Sequence, residues 1–152
     1  MVRPTSDLNM NPEEQVLETT VQRLREVRTA LLRLHKILLE HERDLYERGH
    51  GKIDSSYGYL NLVMNDPWFA WLRHLSELIV QIDELLEARE GASENTGTAL
   101  IEQSRMLLAP NEAGTEFQRK YFASVQASPE VVLAHAEFAR LLGPGRLSKE
   151  VH

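Results

Sequence analysis

Apolar residues recur in alternating steps of three and four along the first third of the chain. The positions are Leu17, Leu24, Val27, Leu31, Leu34, Leu38 and Leu45, and Thr20 and His41 fill the two gaps. We call these positions the seam. This spacing keeps one side of an α-helix against a partner helix for about four heptads, which is the condition for coiled-coil-like packing. The seam predicts a helix that spans a whole bundle or meets another subunit.

Local signals place the ends of this first helix. Asn11 before Pro12 is typical of an N-cap followed by proline at the first helical position. Gly49 or Gly51 can end the helix, which is therefore predicted to run to about Arg48.

A second long helix is predicted from Pro67 to about Arg89, with Asp66 as its N-cap. It carries two adjacent stripes. One holds Trp68, Trp71, Leu75, Leu78, Ile82 and Leu85, and the other holds Phe69, Leu72, Ile79 and Leu86, with Ser76 and Asp83 in its gaps. So broad an apolar face predicts burial against at least two neighbours, so we expect this helix at the centre of the core.

Shorter elements complete the prediction. Ser55 and Ser56 cap a short helical turn, and segment 91–97 (GASENTG) has the composition of a hinge. Three short helices follow: one stopped by Pro110, one opened by a capping box at Thr115 and Gln118, and one opened by Ser128, Pro129 and Glu130. We find no strand alternation and no internal repeat.

The predicted fold is therefore all-α, a helical bundle built on two long antiparallel helices with shorter C-terminal helices. Segment 12–142 is expected to form one domain, between a flexible N-terminus at 1–11 and a loose tail at 143–152. A length of 152 residues suits one domain with a real core.

Composition and charge narrow the function. The chain has no cysteine, which excludes a disulfide framework, a thiolate metal site and a cysteine nucleophile. Its net charge of −6 disfavours nucleic acid as a partner, because phosphates need a basic surface. The N-terminus has no apolar signal segment, and no apolar run approaches the roughly 20 residues needed to span a bilayer. We expect a cytoplasmic protein without a membrane partner.

The histidines do not form a recognisable metal motif. His35, His41, His74 and His135 lie on predicted helices, but no HxxxH or HExxH pair brings two ligands to one turn. The Glu-x-x-His spacing of di-iron bundles occurs once, at Glu47 and His50, beside glycines. No serine elbow or phosphate-binding loop is present either. We therefore predict no metal, no cofactor and no catalytic residue.

Two ionisable residues interrupt the apolar stripes, His41 in the seam and Asp83 in the second long helix. A buried carboxylate without a partner is costly, so Asp83 is predicted to pair with another helix, either with His41 or with an arginine. One interpretation is a polar contact that sets helix register, and the other is a ligand-binding or catalytic pair.

Aromatic residues cluster around the start of the second long helix. Tyr57, Tyr59, Trp68, Phe69 and Trp71 can line a small-molecule pocket at the end of the bundle, or they can serve as core or interface anchors. The candidate ligand-binding residues are His41, Asp83, Tyr57, Tyr59, Trp68 and Trp71.

Three stretches carry a resemblance. They are LHKILLEHERDLYERGHGKI, NDPWFAWLRHLSELIVQIDELL and SPEVVLAHAEFARLLG. They resemble a family of small bacterial all-helical proteins to which no activity is assigned, and the resemblance implies a bacterial cytosolic helical domain.

Two function hypotheses follow. The first is a non-enzymatic interaction or scaffold module that self-associates as a homodimer, with the first helix contributing to the interface. The alternative is a small-molecule-binding or metal-dependent enzymatic bundle that uses His41, Asp83 and the Trp68 and Trp71 aromatic group.

Overall fold

A computed structural model of the protein describes residues 11–88 and 93–143. The predictions for the N-terminal segment 1–10, for residues 91–92 of the hinge and for the tail from residue 144 lie outside the described residues. Every secondary-structure element of the described part is a helix, and loops join them. In chain order it comprises α1 (Pro12–His50), α2 (Ser56–Asn65), a 3-10 helix (Pro67–Leu72), α3 (Arg73–Ala88), α4 (Glu94–Leu107), α5 (Glu116–Ala127) and α6 (Pro129–Leu142).

Helix α1 begins and ends at the signals that the sequence carries. The Asn11 side chain accepts a hydrogen bond from the Glu14 backbone N–H at 2.8 Å, and the Glu14 carboxylate accepts one from Asn11 N–H at 3.0 Å. This reciprocal pair is a capping box. Of the two glycines, Gly51 is the C-cap, and its φ of 87° is a conformation that favours glycine. Helix α1 is therefore 39 residues long.

The seam of α1 is buried inside the chain itself. Leu24, Val27, Leu31, Leu34 and Leu38 are each at most 1% exposed. Their cover comes from α3, α4 and α6, which pack along α1. The long helix thus spans the bundle, and this central part of the seam is not available to another subunit.

The second predicted long helix is divided. It starts at Asp66 as predicted, and the Asp66 carboxylate accepts a hydrogen bond from Trp68 N–H at 2.8 Å. Its first six residues, however, wind as a 3-10 helix before α3 continues for 16 residues. Such tightening is frequent at helix N-termini. The antiparallel arrangement of two long helices stays a prediction, whereas the central burial of this segment is confirmed, with Phe69, Leu72 and Leu75 at most 2% exposed.

Helix α4 begins inside the segment that composition assigns to a hinge. The Ser93 hydroxyl accepts a hydrogen bond from Thr96 N–H, which makes Ser93 an N-cap. One turn later, Gly97 lies against α1: a Cβ placed there would come within 2.5 Å of Thr20 Cγ2. Glycine therefore permits a close approach of α4 to α1, and residues 94–97 form its first turn.

The last two helices close the core around a polar pair. The Tyr121 side chain is fully buried, and its hydroxyl lies 2.7 Å from Nδ1 of His135. Burial raises the pKa of Tyr121 and lowers the pKa of His135, which favours the neutral forms of both. The buried hydroxyl of Tyr121 and the half-buried ring of His135 thereby satisfy each other. Within the described residues, no helix combines the length and the apolar character needed to cross a membrane.

Candidate functional site

Aromatic rings gather where the C-terminal end of α1 meets α2 and the 3-10 helix. We call this region the aromatic end; its rings are Tyr46, His50, Tyr59, Trp68 and Phe69. Tyr46 stacks on His50 with ring centroids 4.1 Å apart, and the edge of Trp68 meets both rings at 5.6 Å. Contacts of this kind add about 0.5–1.5 kcal/mol each beyond simple burial. The aromatic end is therefore a packed cluster and not an open pocket.

Helix α2 is attached to this cluster by one side only. Tyr59 packs edge-on against Phe69 at 6.2 Å, and the Arg43 guanidinium lies 4.6 Å above the Tyr59 ring. The opposite side carries Tyr57, Leu60 and Met64, which are 80%, 55% and 60% exposed. We call these three residues the outer face of α2. This helix has no buried residue and no charged residue.

Beside the aromatic end lies a cleft of about 340 Å³ between α1, the 3-10 helix and α5. Its apolar lining comes from Leu45, Trp68, Trp71, Ala123 and Ala127. Its polar lining comes from His41, Glu42, Lys120 and Ser124. The four α5 residues fall at helical spacings of three and four, so a single side of α5 forms one wall. A mainly apolar cleft with a few polar groups is typical of a ligand site.

Glu42 is the acid that lines this cleft, and its surroundings shift its pKa. Burial raises the pKa of Glu42, while the positive charge of Lys120 and the indole N–H of Trp68 act in the opposite direction. Lys120 does not neutralise it directly, because the Lys120 Nζ pairs with Glu116 at 3.7 Å on the same helix. Within the part of the chain that the structure describes, Glu42 is thus a half-buried carboxyl without an ion-pair partner at contact distance.

Trp68 brings a second polar atom to this corner. Its indole Nε1 is buried and has no hydrogen-bond partner among residues 11–88 and 93–143. The N–H lies near enough to the Glu42 carboxylate to lower that pKa, but it does not reach ordinary hydrogen-bond geometry. An unpaired buried donor costs about 1–3 kcal/mol, and such groups in folded proteins call for an explanation.

Asp83 lies in a different part of the molecule. Its carboxylate forms an ion pair with the Arg28 guanidinium across α1 and α3. The prediction that Asp83 pairs with another helix is thus met by an arginine and not by His41. The geometry fits a contact that fixes the register of two helices, and both side chains remain 38% exposed. At that exposure an ion pair contributes at most about 1 kcal/mol.

The six predicted ligand residues therefore fall into separate places. The cleft brings together His41, Trp68 and Trp71. Tyr59 packs into the aromatic end, Tyr57 points outward from α2, and Asp83 lies beside Arg28.

Glu42 is the residue of the cleft that sequence reasoning missed. It follows His41 directly and lies four residues after Leu38 and three before Leu45, which places it on the flank of the seam. A carboxylate on the flank of a buried stripe was the available signal, as it was for Asp83. Lys120 gave no comparable signal, because its helix is a short one with charges on its exposed side.

A second cavity, of about 310 Å³, opens near the N-terminal end of α1. Leu17, Val21 and Leu86 form its apolar walls, and Glu14 and Arg25 its polar rim. Ser93 borders it, and the residues before Ser93 lie outside the described part of the chain. We therefore place no site there.

Within residues 11–88 and 93–143, no group of three histidine, aspartate or glutamate side chains lies close enough together to hold a metal ion. Glu47, half of the Glu-x-x-His pair, instead accepts a hydrogen bond from Ile53 N–H at 2.9 Å, which lowers the pKa of Glu47. It holds the loop that follows α1.

No protein-family model, curated protein or solved structure matches this chain. The comparisons therefore transfer no activity to it.

Proposed function

We propose that the protein is a non-enzymatic interaction module that self-associates through the outer face of α2. The observation that carries the proposal is the exposure of Tyr57, Leu60 and Met64 on one side of a helix that has no fully buried residue. Spacings of three and four residues align these side chains into one stripe. Large apolar side chains grouped on a surface mark interaction sites more often than isolated ones do.

The charge pattern favours a second copy of the chain as the partner. A two-fold interface brings one patch against the same patch, so a patch of one sign would repel itself. Helix α2 carries no charge over its ten residues, although the chain as a whole has a net charge of −6. Two copies can therefore meet here without like-charge repulsion.

The stripe is also suited to antiparallel pairing with itself. A two-fold axis near Leu60 and Asn61 places Tyr57 of one copy opposite Met64 of the other and brings the two Leu60 side chains together. This pairing joins an aromatic ring to a thioether, which is a favourable contact.

Three side chains supply less than the roughly 800 Å² per partner of a standard interface. We therefore expect a weak dimer with a Kd in the micromolar range, and the homodimer predicted from the seam is now proposed at α2 instead.

Sedimentation equilibrium across about 1–500 µM protein tests this proposal. We expect the average mass to rise from the 17.4 kDa of one chain toward twice that value. Leu60→Lys should hold the mass at that of one chain throughout. Leu133→Lys is the matched control, because Leu133 on α6 is 65% exposed and lies outside α2. A constant mass for the unmodified protein, or equal effects of the two substitutions, would contradict the proposal.

A second function, small-molecule binding, has one specific observation in its favour. Three of the six residues predicted to bind a ligand, His41, Trp68 and Trp71, line the same cleft. Asp83 lies away from this cleft, beside Arg28.

A further inference from the structure

We infer that the cleft between α1, the 3-10 helix and α5 binds a small organic ammonium ion that carries an aromatic or aliphatic group, with Glu42 as its counter-charge. The inference rests on small-molecule binding, the second of the two proposed functions, and names the ligand class.

The lining of the cleft combines a carboxylate with aromatic rings. Glu42 stands among Leu45, Trp68 and Trp71. Aromatic faces attract cations through the negative charge of their π-systems, and a nearby carboxylate adds a full opposite charge. A carboxylate beside tryptophan rings is thus the combination that recognises an alkylated or arylalkyl ammonium group.

In the described part of the chain, Glu42 lacks a positive charge at contact distance that Lys120 could have supplied. Lys120 is the cation nearest to Glu42 in the lining, but its ammonium lies 3.7 Å from Glu116. An ammonium ligand would give Glu42 the contact ion pair that Lys120 does not provide. An anionic ligand would instead place a second negative charge against Glu42, and the repulsion between like charges disfavours that.

The indole N–H of Trp68 is the second group that a bound ligand would affect. Trp68 Nε1 is buried without a hydrogen-bond partner next to Glu42. Fixing the Glu42 carboxylate in place with a ligand cation lets the indole N–H donate to its second oxygen, since a carboxylate accepts several hydrogen bonds. Ligand binding would therefore satisfy two groups that the free protein leaves unpaired.

The volume of the cleft fits a ligand of this class. A cavity of about 150 Å³ is enough to hold benzene. The cleft has about 340 Å³, which accommodates a phenyl ring with a two-carbon ammonium chain.

Three probes of similar size test the ligand class: 2-phenylethylammonium, neutral 2-phenylethanol and anionic phenylacetate. The chain has two tryptophans, so its NMR spectrum contains two indole N–H signals, and that of Trp68 reports on the cleft. We expect the cation to shift the Trp68 signal and to bind at least tenfold more tightly than either other probe.

Variants on both sides of the cleft test the named residues. Glu42→Gln should weaken binding of the cation at least tenfold, whereas Glu40→Gln, an exposed glutamate two residues earlier on α1, should leave it unchanged. Lys120→Gln should strengthen it, because a competing positive charge is removed. This opposite effect keeps the inference testable even if Glu42→Gln does not fold.

The outcomes separate the two levels of the proposal. Equal or tighter binding of phenylethanol or phenylacetate would overturn the ammonium class while small-molecule binding stands. No effect of Glu42→Gln would overturn the role of Glu42. A Trp68 signal that responds to none of the probes would overturn both the ligand class and the second proposed function.

Discussion

The middle of α1 and the outer face of α2 carry apolar residues at the same helical spacing, yet they differ in what covers them. Along the middle, leucines such as Leu31 and Leu34 are completely buried by the chain's own helices. On α2 the outer-face residues Tyr57, Leu60 and Met64 are all more than half exposed. The periodicity of a sequence thus identifies an apolar stripe without identifying its partner.

Whether an apolar stripe is covered depends on which other helices of the chain pack against it. Helices α3, α4 and α6 all pack against α1, whereas α2 packs chiefly against the 3-10 helix. Helix α2 is therefore left with one free side. We therefore expect the middle of α1 to contribute stability and the outer face of α2 to contribute binding, and the following substitutions test that division.

The largest expected effect is in the middle of the seam. Leu31→Ala should lower the free energy of unfolding by about 2–5 kcal/mol, because it leaves a cavity in a fully covered position. Leu60→Ala should change it by no more than about 0.5 kcal/mol. Urea unfolding at low micromolar protein measures both. Similar losses at the two sites would show that α2 belongs to the core after all.

A pair of glycine substitutions is expected to have effects of opposite sign. Gly97→Ala should destabilise the protein by about 1–3 kcal/mol, because the new methyl group meets Thr20 and Leu24. Gly49→Ala, in the last turns of α1, has nothing within 4 Å and should stabilise the protein by about 0.4–1 kcal/mol. Thermal unfolding of the two variants provides the measurement. If both substitutions stabilise, α4 does not pack closely on α1.

The smallest effect concerns pH. Burial lowers the pKa of His135 from 6.5, so the folded state favours the neutral ring. Its contribution to stability is present above pH 6.5 and is lost as the pH falls through that value toward the lowered pKa, because the unfolded chain binds the proton first. His135→Gln should reduce the slope of stability against pH in this window. An equal reduction by His50→Gln, at the aromatic end, would contradict the assignment to His135.

Helix starts were the part of the fold that the sequence predicted best. Asn11, Asp66, Thr115 and Ser128 all act as N-caps in the structure. Capping depends on hydrogen bonds within three residues, so it can be deduced locally. Ser93 was missed because its neighbours have the composition of a loop, while the burial of Gly97 against α1 depends on a distant segment.

The candidate site was predicted less completely for the same reason. His41, Trp68 and Trp71 were named from the sequence, and the structure brings them to one cleft. Glu42 and Lys120 were not named, because they are separated by 78 positions and meet only when α5 folds back. For Asp83 the sequence likewise left two candidate partners, His41 or an arginine. The tertiary packing brings Arg28 to it.

The dependence of α1 on distant helices has a consequence for synthesis of the protein. Helix α6 ends at Leu142, about 100 residues after Leu38, so at about 5–20 residues per second the ribosome completes the cover of the seam some 5–20 s later. During that interval the 3-10 helix and α3 are the earliest partners available to it. Until α6 emerges, the nascent chain presents an apolar stripe that chaperones or neighbouring nascent chains can bind.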